Sequence, residues 1–330
     1  MTKKLYPMTF RPVYKDYLWG GSRIPETFHR PLPEGIYAES WEIADRNDGM
    51  SVVTNGPLAG QTLRALLEDN ATGILGTRTK GTQFPLLIKL IDARQKLSVQ
   101  VHPNTKTAAT LGGEAKTEMW YLLGDNETEL YCGLKKGITR EDLTKAIDQG
   151  TCAETLRTIP VKKGDAVFVG GGSVHSIGEN CLILEVQQNS NTTYRFYDWD
   201  RVDANGQPRE LHIEKAVNAI DWNEYVYPLI PPELLVDTDG FQCWEILECK
   251  YFRIEKLQLS QPLEIPLDGS TFHALFTAEG EATIEWNEGT LTAPAGTSVL
   301  IPAALTDYTL AGNATVIRIS LPGTPGKNRL

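Results

Sequence analysis

Short runs of β-forming residues, separated by glycine, proline, asparagine and aspartate, recur along most of the chain and constrain its fold more than any other feature. Many short strands at near-regular spacing are typical of a β-sandwich or a jelly-roll barrel. The chain is therefore predicted to be mainly β. The predicted strands are Leu86–Ile91, Leu97–His102, Glu118–Leu123, Ala166–Val169, Leu182–Gln187, Arg253–Leu259, Ala274–Ala278, Ala282–Trp286, Ser298–Pro302 and Ala314–Ile319.

Helical patterning is confined to a few short segments. Thr139 is placed to cap a helix that has acidic residues in its first turn and ends at Gly150. A second short helix is predicted at Ala153–Arg157 and an earlier one at Leu63–Asp69. Residues 137–160 are therefore predicted to form a small helical insertion in the strand series.

A proline-rich stretch at residues 225–233 predicts a linker, after which the strand series restarts. We therefore expect two jelly-roll barrels, one formed by residues 1–225 and one by residues 226–330. The second barrel has a single histidine, His273, without a companion set of ligands. It is predicted to bind no metal.

The charge balance limits the class of partner. The chain has 330 residues, with 32 Lys and Arg against 42 Asp and Glu, which gives a net charge of −10. Such a charge disfavours nucleic acid or an anionic membrane as the main partner, while a small phosphorylated ligand needs only a few local cations. The five cysteines form no CxxC pair, and there is no signal-like or membrane-spanning apolar run. These features predict a cytoplasmic protein with reduced thiols.

Three segments carry candidate metal ligands. In the first segment, side chains of a strand alternate between its two faces, so Ser98, Gln100 and His102 share one face. That face is either solvated or turned inward. In the second, the same alternation places Lys116, Glu118 and Trp120 together. A further segment enters a strand at Gly164-Asp165 and delivers His175 from a triple-glycine loop, a pattern common in cupins. No helix start follows that loop, which disfavours a phosphate-binding loop.

Two imidazoles and a carboxylate match a catalytic zinc site with an open position. The amide oxygen of Gln100 can add a weaker ligand. By ligand type alone, Mn²⁺, Fe²⁺, Co²⁺ and Ni²⁺ also fit this set.

Taken together, these segments resemble the type I mannose-6-phosphate isomerases, in the short bacterial form, of the cupin superfamily. The resemblance is strongest over residues 5–225. The motifs that carry it are Gln100-x-His102-Pro103, Lys116-x-Glu118-Met119-Trp120-Tyr121, the late His175, and Tyr194-Arg195-x-Tyr197-Asp198-Trp199.

The resemblance implies a cupin fold and the interconversion of mannose 6-phosphate and fructose 6-phosphate. It also implies one zinc ion per chain, and it places the family's active-site arginine on Arg195. One departure is that Phe-Tyr-Asp-Trp-Asp-Arg follows Arg195, where long-form members carry an Arg-Ala-Gly-x-Thr-like tail. The ligands implied by the resemblance are Gln100, His102, Glu118 and His175.

An aldose–ketose interconversion through an enediol needs a base for the proton and an electrophile for the carbonyl oxygen. Glu185 and Lys116 are the candidate bases, although Glu185 can equally orient a neighbouring group. Arg195 can stabilise an enediolate or hold the phosphate. Ser98 and Lys116 are further candidates for phosphate binding, and Trp19 for lining the pocket.

The remaining candidates are weaker. A surface position is the expected outcome for Lys89, and lone histidines such as His29, His212 and His273 are usually not functional. A metal-dependent cupin oxygenase and a non-catalytic sugar-binding cupin are the alternatives on the same fold. Cations near the site favour a phosphorylated sugar and so argue against the oxygenase. The complete set of metal ligands argues against the non-catalytic sugar-binding cupin. We expect a monomer or a weak homodimer.

Overall fold

The computed structural model describes residues 4–203, 205–223 and 227–323. Within this part of the chain the protein is built mainly from antiparallel β-sheets, as predicted. Part of the predicted linker lies outside the described residues, as do most of residues 322–330, for which the sequence predicts a loosely ordered tail.

The chain divides into two compact units. The first, which we call the terminal unit, comprises residues 1–13, 41–87 and 231–330, and the second, the central unit, comprises residues 14–40 and 88–230. This division differs from the predicted boundary at residue 225, because two N-terminal segments belong with the C-terminal residues. The chain passes from one unit to the other within the strands Val13–Lys15, Glu39–Ile43 and Leu86–Ala93.

The terminal unit contains a large antiparallel sheet whose members come from both ends of the chain. Met8 pairs with Leu300 and Thr9 with Val299, so an N-terminal strand adds to the C-terminal series. The other strands of this unit are Asp45–Arg46, Gly49–Met50, Val52–Val53, Glu233–Thr238, Phe241–Glu248, Arg253–Leu259, Leu263–Pro266, His273–Trp286, Gly289–Pro294, Ser298–Ile301 and Asp307–Ser320, with Met8–Arg11 already described.

Helix Leu63–Leu75 also belongs to the terminal unit, as does the 3₁₀ turn Gly56–Leu58. The helix begins as predicted, with Thr62 accepting a hydrogen bond from the amide of Ala65. It extends beyond the predicted end at Asp69, because the backbone breaks at Asn70 and then resumes the helix.

The central unit consists of two sheets. One sheet has the order Leu156–Val161, Thr128–Leu134, Val174–Ile177, Val99–Val101 and Tyr194–Tyr197. The other has the order Leu229–Ile230, Ala166–Val169, Glu118–Leu122 and Cys181–Gln188, and continues through the residues of Leu86–Ala93 and Glu39–Ile43 that belong to this unit.

A buried apolar cluster draws side chains from both sheets of the central unit, as in a two-sheet barrel. Leu130, Ile159 and Ile177 come from the first sheet, and Leu122 and Ile183 from the second. The helices of this unit are Arg23–Thr27, Thr105–Leu111, Arg140–Asp148 and Ile213–Ala219, with the 3₁₀ turn Cys152–Thr155.

The predicted helical insertion is shorter than expected. Helix Arg140–Asp148 is present, and Thr139 caps it in a reciprocal capping box with Asp142. The second predicted helix is only the turn Cys152–Thr155, because Leu156–Val161 pairs with Thr128–Leu134 as a sheet strand. No helix among the described residues is long and apolar enough to cross a membrane.

Candidate metal centre and active-site pocket

A row of polar side chains crosses three neighbouring strands of the first central sheet. His175 lies opposite Gln100, and Arg195 lies opposite Gln100 on its other side. Residues directly opposite in antiparallel strands project from the same face. The alternation predicted for this strand is therefore found, with Gln100 in the row and the apolar Val99 and Val101 buried in a cluster on the other face.

The second central sheet contributes two carboxylates. Glu118 lies opposite Gln187, and Trp120 lies opposite Glu185. The indole nitrogen of Trp120 donates a hydrogen bond of 3.0 Å to Glu185. Both carboxylates are almost fully buried. Glu185 therefore points inward, a position that suits both of its predicted roles, as a base or as a group that orients a neighbour.

Backbone carbonyl groups orient both candidate histidine ligands. Nδ1 of His102 lies 2.8 Å from the carbonyl oxygen of Thr192, and Nδ1 of His175 lies 2.9 Å from that of Ser173. A carbonyl only accepts, so each Nδ1 carries the proton and each Nε2 presents a lone pair. The two Nε2 atoms are 3.1 Å apart. Two lone pairs at that distance repel each other, and a cation between them would relieve the repulsion.

Glu118 completes a group of three buried side chains that can hold a metal ion. Its Oε2 lies 3.4 Å from Nε2 of His102, and its Oε1 lies 3.4 Å from Nε2 of His175. Ligand atoms bound tetrahedrally to zinc at about 2.0–2.2 Å lie about 3.3–3.6 Å from one another. The spacing of the three side chains therefore fits a metal of this size.

The protonation states also suit a metal. Burial lowers the pKa of His102 from 6.5 to about 3, with help from the charge of Lys116. Burial likewise lowers the pKa of His175. Burial favours the neutral form of Glu118, but the pKa of that carboxyl is lowered, foremost by the charge of Lys116. The three groups are thus neutral imidazoles and a carboxylate at neutral pH, which are the forms that bind metal.

Gln100 lies beside this group, with Nε2 of its amide 3.2 Å from Nε2 of His175. Its Oε1 accepts a hydrogen bond of 3.2 Å from the hydroxyl of Ser98. The amide nitrogen therefore faces the histidine, and a half-turn about the last side-chain bond exchanges it for the oxygen that can bind a metal.

A buried chain of alternating charges extends from the candidate ligands. Nζ of Lys116 lies 2.9 Å from Glu118 and 3.6 Å from Glu185. Nζ of Lys89 lies 3.1 Å from Glu185 and 3.3 Å from Glu39. Burial and the charge of Glu118 raise the pKa of Glu185. Lys89 is only 5% exposed, so the surface position expected for it was wrong.

A pocket of about 280 Å³ opens beside the metal-binding group. Most of the predicted site residues line it, including Trp19 and Ser98. The full lining is Tyr17, Trp19, Glu39, Lys89, Ile91, Leu97, Ser98, Gln100, Lys116, Trp120, Ile177, Glu185, Asn191, Thr193, Arg195, Arg209 and His212.

Arg195 lines this pocket together with a second guanidinium, that of Arg209. Arg209 donates two hydrogen bonds, of 2.6 and 2.7 Å, to the carboxylate of Asp198, which also accepts from Arg201. Arg195 donates to the carbonyl of Glu210, and its buried Nε has no hydrogen-bond partner among the described residues. A buried donor without a partner is costly, so the pocket favours an anionic or strongly accepting ligand.

The other histidines occupy different surroundings. His29 is exposed, and His273 is half-buried in the terminal unit with its Nδ1 2.9 Å from the hydroxyl of Tyr308. His212 was expected to have no function, yet it lines the pocket, and its Nδ1 lies 3.4 Å from the amide of Arg195. Sequence reasoning also missed Arg209, for which the sequence carries no periodic signal.

Comparison with known proteins identifies the family of this chain. A model of the type I phosphomannose isomerase catalytic domain matches residues 8–136, and a model of the mannose-6-phosphate isomerase cupin domain matches residues 244–321. Mannose-6-phosphate isomerase ManA of Bacillus subtilis strain 168 is 37% identical over 94% of this chain and 98% of that relative. This chain belongs to the type I phosphomannose isomerases. The resemblance noted in the sequence is thereby confirmed, and so is the cupin fold.

Solved structures agree with this assignment. The isomerase matches the crystal structure of mannose 6-phosphate isomerase from Bacillus subtilis with a TM-score of 0.87 and 33% identity, over 95% of this chain and 99% of that one. It also matches a structure of mannose 6-phosphate isomerase bound with zinc and yttrium, with a TM-score of 0.75 and 17% identity, over 96% of this chain and 100% of that one. The second match shows the shared fold alone.

Proposed function

We propose that this isomerase interconverts mannose 6-phosphate and fructose 6-phosphate through an enediol, with one zinc ion held by His102, Glu118 and His175 and by the amide oxygen of Gln100. The observation that carries the proposal is the position of the three-ligand group. It lies beside a pocket lined by two guanidiniums and two lysines. A cationic pocket next to a metal suits a sugar whose phosphate needs countercharge.

The metal, when bound, supplies a Lewis acid that polarises the oxygens of the sugar. Two imidazoles and one carboxylate match the ligand set of catalytic zinc sites, and backbone carbonyl groups pre-orient both imidazoles. Manganese, iron, cobalt and nickel remain candidates by ligand type, and elemental analysis of the purified protein distinguishes them.

Glu185 and Lys116 are the proposed groups for moving the proton between the two sugar carbons. Both line the pocket, and they lie 3.6 Å apart. A general base works best when its pKa lies near the working pH, and burial moves the pKa of Glu185 upward in that direction. The indole of Trp120 holds one oxygen of Glu185, which fixes the direction of the carboxylate.

Arg195 is proposed to act on the developing negative charge of the enediolate or on the phosphate. Its free Nε gives it an unused donor in a partly buried site, where a hydrogen bond to an anion is strong. Ser98 and Lys116 are proposed as further contacts for the substrate, and Trp19 as an apolar wall. The alternative role for Arg195 is a surface ion pair with Asp198 or Asp200, and Asp198 is already engaged by Arg201 and Arg209.

A coupled assay tests the substrate. Mannose 6-phosphate is offered to the purified protein beside glucose 6-phosphate and free mannose, and we expect turnover of the first alone. Turnover of none of them, together with bound iron and oxygen uptake, would support a cupin oxygenase instead. A protein that binds sugar without turnover would be the non-catalytic alternative.

Two substitutions test the metal ligands. His102→Ala and His175→Ala should each lose the metal and abolish turnover while circular dichroism shows the barrel folded. His29→Ala is the matched control, because that histidine is exposed, and it should keep both metal and turnover. Full metal content and normal turnover in both ligand variants would contradict the proposed site.

The remaining expectations about partners stay predictions. A cytoplasmic location is expected from the reduced thiols, and a monomer or weak homodimer is expected in solution. Light scattering across a range of protein concentrations measures the second directly.

A further inference from the structure

A second cavity lies in the central unit, with a volume of about 410 Å³, which is within the range of small-molecule sites. The lining residues differ from those of the active-site pocket. The charged part of its lining comprises Lys135, Lys136, Arg157 and Asp221. The catalytic proposal does not use this cavity.

The charge of the lining points to an anionic ligand. Three cations, Lys135, Lys136 and Arg157, face one carboxylate, that of Asp221. The chain as a whole carries a net charge of −10, so a locally positive cavity is contrary to its overall composition. A concave site lined by one sign of charge concentrates ligands of the opposite sign.

The guanidinium of Arg157 is held in place by its surroundings. Its Nε donates a hydrogen bond of 2.8 Å to the carbonyl of Cys132, and its charge lies 5.9 Å from the ring centre of Tyr227. Gly133 has a positive φ, and a Cβ there would lie 2.7 Å from Nη2 of Arg157. The absence of a side chain at Gly133 therefore leaves room for the guanidinium of Arg157. A guanidinium that is already held in position favours the binding of a ligand, because less conformational freedom is lost.

The rest of the wall is apolar and aromatic. Trp222, Phe168 and Ile138 are partly exposed in the lining, and Ile220 is buried there. An indole face binds the C–H face of a sugar ring or stacks on a base. The combination of fixed cations with an aromatic wall therefore suits a phosphate ester that carries a ring.

The loop that separates this cavity from the metal-binding group contacts both. Gly170, Gly172 and Ser173 line the cavity. The amide of Gly172 donates to the carbonyl of His102, and the carbonyl of Ser173 accepts from Nδ1 of His175. A ligand that shifts this loop must therefore change the orientation of a candidate metal ligand.

We propose that the cavity is a second ligand site, for a small ring-bearing phosphate ester, and that its occupation changes the metal affinity through the loop at Gly170–Ser173. The coupling rests on the proposed metal site, whereas the binding does not. Coupling between two sites is reciprocal, so the metal should alter the affinity for the ester by the same factor.

Binding is tested on the metal-loaded protein by tryptophan fluorescence, with adenosine monophosphate, glucose 6-phosphate and inorganic phosphate as separate probes. We expect saturable quenching by at least one of the two esters, with a Kd below about 1 mM, and weaker binding of inorganic phosphate. Trp222→Phe should remove the quenching. A response to inorganic phosphate that equals that of both esters would overturn the requirement for a ring.

A matched pair of variants locates the site. Lys135→Gln/Lys136→Gln removes two exposed lysines of the lining and should weaken binding at least about tenfold. Lys162→Gln/Lys163→Gln makes the same charge change at two exposed lysines outside the lining and should leave it unchanged. Absence of binding by either ester in the wild type, or binding that survives in the first variant, would overturn the proposal.

Coupling is measured by titrating the metal-free protein with zinc against a chelator, with and without the saturating ester. We expect the Kd for zinc to shift about fivefold or more. An unchanged Kd with the ester bound would refute the coupling and leave the cavity as an isolated site. Failure to bind zinc in either condition would instead contradict the proposed function.

Discussion

The substitution Lys89→Met removes a cation from between two buried carboxylates. Lys89, Glu39 and Glu185 are each less than one-tenth exposed, and Nζ of Lys89 lies 3.3 and 3.1 Å from the two carboxylates. Methionine nearly preserves the volume, so the change isolates the charge. Removing one partner of a buried pair costs about 3–5 kcal/mol, because the remaining charge stays buried. Lys116 still lies 3.6 Å from Glu185, so we expect the lower end, about 3 kcal/mol.

Urea unfolding followed by fluorescence measures this free energy. Lys163→Met is the matched control, because Lys163 pairs with Asp125 at the surface and should contribute no more than about 1 kcal/mol. Adding Glu185→Gln to Lys89→Met should cost about 1–2 kcal/mol less than the sum of the single changes, since the second substitution removes an uncompensated charge. Equal losses in Lys89→Met and Lys163→Met, or strictly additive effects in the double variant, would refute this account of the charge chain.

Three further predictions concern the pocket, the terminal unit and the thiols. Arg195→Ala should lower kcat at least about a hundredfold, because the site loses a donor that stabilises an anion, while metal content and Tm stay normal. Arg195→Lys should restore only part of kcat. If Arg195→Ala keeps more than about a third of kcat, Arg195 has a surface role. His273→Ala should leave kcat/KM within about threefold but lower the Tm, because Tyr308 loses its partner. Burial lowers the pKa of His273 to about 3; wild-type stability should therefore fall as the pH drops from about 6.5 towards 3, and the variant should lose less over that window. All five cysteines are buried, and burial raises the pKa of Cys152 to about 12, so a thiol reagent should label the native protein only after unfolding.

Strand faces were the part of the site that the sequence could predict, because alternation is a local property. Period two predicts the shared face of Glu118 and Trp120, but it leaves open whether the face of Gln100 is solvated or turned inward. The structure places Gln100 in the pocket lining. The sequence also carries a signal that Lys89 is buried, because this lysine lies inside the apolar run Leu86–Ile91. A lysine in a strand buried on both faces must be paired.

Arg209 and His212 could not be predicted in the same way. They follow strand Tyr194–Tyr197 in a loop, where side chains do not alternate regularly between two faces. The carboxylate of Asp198, eleven residues earlier in the chain, positions Arg209. The grouping of residues 4–13 with residues 231–323 in one unit could not be predicted from the sequence either. Strand pairing between distant segments depends on the whole fold rather than on local pattern.

The pairing of Met8–Arg11 with Ser298–Ile301 has a consequence for biosynthesis. Translation runs from the N-terminus, so residues 14–230 can emerge and close the central unit before the partner of the first strand is made. At about 5–20 residues per second the ribosome needs roughly 15–60 s to pass from one strand to the other.

During that interval the first strand lacks its C-terminal partner, which in the folded protein lies beside the buried residues Met8 and Phe10. A nascent chain that waits with an open strand edge is a substrate for chaperones, and for aggregation where they are scarce. The sheet of the terminal unit can therefore be completed only when synthesis is nearly finished.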